Sequence, residues 1–163
     1  PFEFAAFEGD EELVLELGMA GARGDPFEAA IRGGQYDFLD LHMETPRDGN
    51  LQLAVELGHE SIVSLILDRG ANTEAESFEH DTKVYLTPIL HAAKEGNAGI
   101  VGLLLDAGAS VHRRLQKDQV GEWTDTYAMV ETESALDLAA IRGHVDVIRE
   151  IIQREPSCVN SDV

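Results

Sequence analysis

Few residues of this chain stand in a pattern that could perform covalent or metal chemistry. Of six histidines, His59 and His144 each follow a glycine directly, His91 lies in a Leu-His-Ala-Ala run, and His42, His80 and His112 are scattered. A zinc set needs grouped histidines and cysteines; here there is one cysteine, Cys158, and no paired HxxxH. There is no HExxH, no phosphate loop ending in GK[ST] and no GxSxG elbow. The stretch GMAGARGD at 18–25 spaces glycines as a phosphate cradle would, but no strand pattern leads into it. Acid pairs such as Glu11–Glu12 recur without focus, and acid–base catalysis needs a pocket to concentrate them. The sequence therefore predicts no catalytic, cofactor-binding or metal-binding residue, and no enzyme.

What the residues can do is recognise. Two stretches gather the types enriched where proteins bind each other. ANTEAESFEHDTKVYL, from residue 71, carries Phe78 and Tyr85 among Glu74, Glu76, Glu79 and Asp81. ASVHRRLQKDQVGEWTDTYAMVETE, from residue 109, holds the only tryptophan, Trp123, with Tyr127, Met129, Arg113, Arg114 and Lys117. DQVGEW reads as a turn, with VHRRLQ and TYAMVE as strands on either side. The bland alternative is that the basic run pairs with the acidic stretch, and that Trp123 packs under its own loop.

Composition narrows the partner. Twelve basic against thirty-one acidic residues leave a formal charge of −19, which repels phosphate backbones and speaks against nucleic acid. A basic partner protein is favoured, although a solvated acidic surface is the simpler reading. No apolar run is long enough for a bilayer, and no export signal opens the chain. A single cysteine suits a reducing compartment. Together these predict an intracellular protein, cytoplasmic or nuclear, without membrane insertion.

The elements that must carry these stretches are helical and repeated. Residues 86–111, LTPILHAAKEGNAGIVGLLLDAGASV, punctuate two short helices. Thr87 suits an N-cap accepting from orphan backbone donors, and Pro88 suits the first helical position. Gly96 and Gly108 end the helices in the left-handed conformation. Ala92 and Ala93 are small enough for neighbouring backbones to approach, and Leu104 should be core. The pattern recurs: Pro1, Ala5, Ala6, Gly9 and Gly21; Pro26, Ala30 and Gly34; Ala54, Gly58 and Gly70; Ser134, Ala139, Ala140 and Gly143. Gly9 and Gly21, Gly58 and Gly70, and Gly96 and Gly108 are each twelve residues apart. Pro46 and Pro156 stand near the second terminator in the other two copies.

This combination resembles the ankyrin repeat, whose hallmark is a TPLHLAA run, a glycine, then VVxxLL and a Gly-Ala pair. The resemblance covers nearly the whole chain in five copies, 1–22, 25–46, 49–71, 86–109 and 134–155, making a domain over 1–156 with a tail at 157–163. It implies an all-α fold, an α-solenoid of helix pairs with projecting β-hairpin fingers. The motif's histidine slot holds Glu3, Glu28, Gln52, Leu90 and Asp137, so the family's Thr–His hydrogen bond is not expected, and His91 reads as a polar inner-helix residue. The two residues before each inner-helix glycine face the concave side in this family. Here they are Phe7 and Glu8, Arg32 and Gly33, Glu56 and Leu57, Lys94 and Glu95, and Ile141 and Arg142.

Copies differ most at their junctions. An ordinary unit leaves about twelve residues between the second glycine and the next cap. The first junction spans four residues and the second three, too few for a finger, while the third spans seventeen and the fourth twenty-six. Fingers are thus missing early and enlarged late, and long loops of this kind are where function concentrates. The expected function is partner-protein binding through the concave inner helices and loops 71–86 and 110–133. Phe78, Tyr85, Lys94, Glu95, Arg113, Arg114, Lys117, Trp123, Tyr127, Met129 and Arg142 are the contacts. Two alternatives stand beside it: a structural or regulatory segment of a larger protein, and an enzyme or small-ligand protein on the same scaffold. Pro1 occupies a first-helix slot whose cap is absent, so the chain is expected to be a piece of a longer polypeptide.

Overall fold

The computed structural model describes residues 2–10, 12–14, 16, 25–47, 49–79, 84–112, 116–117 and 134–156. These are mostly helical, as the repeat pattern predicts, and they fall into two compact units, Pro1–Asn72 and Thr73–Val163.

The first unit contains α1 (Phe2–Glu8), α2 (Pro26–Gly33), α3 (Tyr36–His42), α4 (Asn50–Glu56) and α5 (Glu60–Asp68). Residues 12–14 and 16 are helical as well. Local chemistry starts and stops these rods where the spacing placed them. Asp25 sits in the extended conformation before α2 and accepts from the N–H groups of Phe27 and Glu28, with Pro26 in the first turn. The helix closes on Gly34 at φ 69°, whose N–H, with that of Gln35, returns to the carbonyls of Ile31 and Ala30. Gly58 and His59 repeat that closure on Val55 and Ala54. α3 ends sooner than Pro46 alone would dictate, at His42. Met43 turns extended and buries its side chain, and Thr45, preceding a proline, is biased away from helix. Asn50 Oδ1 then accepts the Arg47 N–H at 2.7 Å and tightens the short junction.

Inner helices pack on inner ones, α1 on α2 and α2 on α4, while α3 packs on α5. Ala5, Ala6, Ala30 and Ala54 line the inner contacts fully buried; Ile62, Val63 and Ile66 of α5 join Leu39 and Met43 in the core. Arg69 ties α5 to α3, donating to the carbonyls of Leu39 (2.8 Å) and Asp40 (2.7 Å), which supplies two end-of-helix acceptors with donors.

The second unit has β1 (Ser77–Glu79), β2 (Val84–Leu86), α6 (Pro88–Glu95), α7 (Ala98–Asp106), β3 (Gln116–Lys117), α8 (Ala135–Arg142) and α9 (Val145–Arg154). α6 packs on α7 and α8, and α9 covers both α7 and α8. The core is Ile89, Leu90, Ala92, Ala93, Ile100, Val101, Leu104, Ala139, Val147 and Ile151. Leu104 is fully buried, as expected.

Two starts differ in an instructive way. Ser134 makes a complete capping box: its Oγ accepts from the Asp137 N–H, and Asp137 Oδ2 accepts from the Ser134 N–H and hydroxyl. Thr87 occupies the matching slot in extended backbone, but its side chain caps nothing, contrary to expectation. Its Oγ1 is buried without a hydrogen-bond partner. The residue three on differs too: Asp137 supplies a carboxylate that accepts from the Ser134 N–H and hydroxyl, whereas Leu90 in the same slot has none to offer, so no capping box forms there.

Candidate functional site

The two late connectors meet as one sheet. β1 and β2 form an antiparallel hairpin with Ser77 opposite Leu86, Phe78 opposite Tyr85 and Glu79 opposite Val84. β3, from the next connector, adds antiparallel to the free edge of β2, with Val84 opposite Lys117 and Tyr85 opposite Gln116. A second tie lies at their bases, where Glu74 Oε1 accepts the Ser110 N–H at 2.9 Å. The acidic and basic connectors are therefore bound to each other through backbone as well as through a carboxylate. Joining them removes the unpaired inner edge that each finger would otherwise present.

Phe78 and Tyr85 pack against each other across the hairpin with ring centroids 5.2 Å apart and planes tilted by 54°, within the separation that aromatic pairs prefer. Both are half-buried. The strand read over VHRRLQ is displaced: Val111 and His112 form a turn, and the ladder is made at Gln116 and Lys117. Val111 is buried and the His112 N–H bonds the Ser110 hydroxyl at 3.3 Å, a local turn that competes with extension. Arg113, Arg114, Trp123, Tyr127 and Met129, and the predicted turn at 118–123, lie outside the described residues, as does the side chain of Lys117.

On the inner helices of the second unit, Glu95 and Arg142 are exposed and Lys94 is half-buried. α6 and α8 pack side by side, which puts the Lys94–Glu95 and Ile141–Arg142 pairs at corresponding positions of neighbouring helices. His144 locks that contact. Its Nε2 lies 3.1 Å from the Lys94 carbonyl oxygen. A carbonyl can only accept, so Nε2 carries the proton. The ring sits over Gly96, where an added Cβ would come within 2.7 Å of Nδ1.

The first unit uses the same device with a different residue. Gln35, in the slot of His144, donates from Nε2 to the Phe7 carbonyl at 2.9 Å and covers Gly9. Histidine and glutamine fill the same role here because each places an Nε2–H donor within reach of the equivalent carbonyl. Gly33 has a packing role of its own. A Cβ there would stand 2.0 Å from the Phe7 carbonyl oxygen, so glycine is what lets α2 approach α1.

Between α1 and α2 lies a groove of about 350 Å³ that the sequence reading did not single out. Phe4 and Phe7 line it with Glu3, Asp25, Glu28 and Arg32. A signal was present: three of the six phenylalanines fall within the first seven residues, and Phe4 occupies the slot that holds Ala29, Leu53, His91 and Leu138 elsewhere. Among the described residues no group of three or more His, Cys, Asp or Glu is placed to hold a metal ion. No helix among them is long and apolar enough to cross a membrane.

Paired helices closed by left-handed glycines and stacked through buried alanines, with a finger hairpin ahead of α6, define a helical repeat protein. Residues 51–162 match the family described as ankyrin repeats (3 copies), and the chain belongs to that family. It is 35% identical over 117 residues to the Drosophila melanogaster protein "Ankyrin repeat and KH domain-containing protein mask". Over 112 residues it is 38% identical to the Homo sapiens protein "Ankyrin repeat and KH domain-containing protein 1". These matches take in 71% and 69% of this chain but only 2% and 4% of those two proteins. Ankyrin repeats generally serve as protein–protein interaction modules, and the family is typically non-enzymatic.

Proposed function

We propose that this chain is a non-catalytic, intracellular binding module that holds a partner protein against its inner helices and its two long connectors. The observation that carries the reading is the joined sheet. Two connectors far longer than a repeat requires are tied by the Val84–Lys117 and Tyr85–Gln116 pairings and by Glu74 on Ser110. That arrangement turns two separate loops into one platform, which lowers the ordering entropy a partner must overcome. Glu95, Arg142 and the half-buried Lys94 extend the contact surface along the inner helices, and the residues at 110–133 contribute Arg113, Arg114, Trp123, Tyr127 and Met129.

A photo-cross-linking residue at position 95 or 142, compared with one at 146 on an outer helix, tests the reading. The inner positions should yield a discrete cross-linked protein in cell extract, and position 146 should not. Equal yield from all three, or none from any, would count against it.

A second reading has its own support. The chain spans a few per cent of the length of the relatives it matches, and α9 leaves Val145 exposed at 60% and Ile152 at 39%. A segment that packs inside a larger polypeptide would look the same, and cross-links returning only to the protein's own longer form would favour it.

A further inference from the structure

We infer that the groove between α1 and α2 receives an arginine side chain presented by the partner polypeptide. The inference rests on the protein-binding reading above and adds a site and a chemistry to it. Phe4 is 66% exposed and Phe7 43%, one turn apart on α1, so two aromatic rings stand open to solvent over the same depression. Around them are three carboxylates, Glu3, Asp25 and Glu28, against one guanidinium, Arg32.

The cations already present are committed. Arg32 is paired with Glu28 at 2.9 Å, and Arg47 with Asp25 at 2.8 Å. Asp25 also spends its other oxygen capping α2. Glu3 makes no hydrogen bond or ion pair among the described residues, and the groove keeps an excess of negative charge. An aromatic wall beside a carboxylate is the environment a guanidinium fits better than an ammonium. Its flat, weakly hydrated face stacks on a ring while its edge donates to an oxygen pair. About 350 Å³ is near the lower end of ligand-pocket volumes, the scale of one long side chain and not of a large cofactor. The overall charge of −19 draws a basic segment toward this surface.

The test is an NMR titration of the whole chain with a glycine–serine peptide containing one arginine, set against the same peptide with lysine and with citrulline. The arginine peptide should move the resonances of Phe4, Phe7 and Glu28, lysine should do so more weakly, and citrulline should not. Phe4→Ala should weaken the arginine peptide about two- to five-fold, the worth of an exposed cation–π contact. Glu3→Gln should reduce the salt dependence while leaving the thermal melt unchanged. Equal response to arginine and citrulline, shifts spread over outer-helix acids such as Glu60 and Asp146, or indifference to Phe4→Ala would each overturn the inference. Arg23 lies outside the described residues, so the titration is repeated on Arg23→Gln. Binding seen only in that variant would mean the chain fills its own groove, and would also overturn it. Failure here with productive cross-links at 95 or 142 leaves the binding reading standing; the converse result removes that reading and keeps the groove.

Discussion

Helices α7 and α9 hold the same slot in successive repeats, yet one is core and the other is half surface. Val101 and Leu104 of α7 are fully buried, because α9 lies across them. Ile151, in the slot of Leu104, is equally buried against α7 and α8, but Ile152 and Val145 point away from that contact and are exposed. Arg154 completes the cover by pairing with Asp106 at the end of α7 and with Glu150 on its own helix at 2.7 Å. The Glu150 carboxylate raises the Arg154 guanidinium above its ordinary value, with Asp106 adding to it. A raised pKa contributes stability below the unfolded-state value and loses it only in strong alkali. The lesson is that in a repeat array burial belongs to the pair, not to the residue: identical slots become core only where a neighbour covers them.

The sharpest way to break that comparison is to truncate both sides of it. Leu104→Ala should destabilise by about 2–5 kcal/mol, the range for a leucine removed from a close-packed site. Urea melts of the purified chain read it directly. A loss below about 0.5 kcal/mol, the range of surface substitutions, would mean that α9 does not seal α7.

Next in size is Gly96→Ala. Gly96 holds φ 85°, and a Cβ there would push into the His144 ring at 2.7 Å. Left-handed backbone alone costs a non-glycine residue about 1–2 kcal/mol. The same melt should show at least that loss, together with altered His144 ring resonances as its bond to the Lys94 carbonyl is disturbed. A melt unchanged by the substitution would show that the contact between α6 and α8 is slack.

Smallest is Ile152→Ser, which should change stability by no more than about 0.5 kcal/mol because the side chain has little cover to lose. A loss approaching that of Leu104→Ala would erase the distinction between the two helices and point to a contact on the far side of α9.

How much of this was legible beforehand can be followed through individual residues. The Thr87–Pro88 start, the alanine pairs and the glycines at 34, 58, 96 and 143 announced helix boundaries, because capping and left-handed closure depend on residues within one turn. The family and the all-α repeat class came from the resemblance that these residues carry to the ankyrin repeat. Thr87 shows where local reading stops. Its type and position promised a cap, but its side chain caps nothing and its hydroxyl is buried without a partner. The early end of α3 was hidden for a similar reason, since Met43 leaves the helix to reach a core that other helices build.

The candidate sites divide the same way. Phe78 and Tyr85 were visible as aromatic residues in an overlong loop, but not as partners across one hairpin. Gln35 gave no sign of sharing the role of His144, because equivalence rests on an N–H meeting a carbonyl 28 residues away. Glu3 was read as a repeat slot and Phe4 was not singled out, and only the approach of α2 made a groove of them.

Taken by itself, the order of residues determined where rods such as α2, α6 and α8 begin and end, that the rods come in pairs, and which connectors exceed a turn, since all three depend on contacts within a few residues. Tertiary structure alone decided that the two long connectors share a sheet, that α1 and α2 enclose an acidic aromatic groove, and which apolar slots become core. Those outcomes depend on what another part of the chain brings to the same place, and periodicity carries no record of that neighbour.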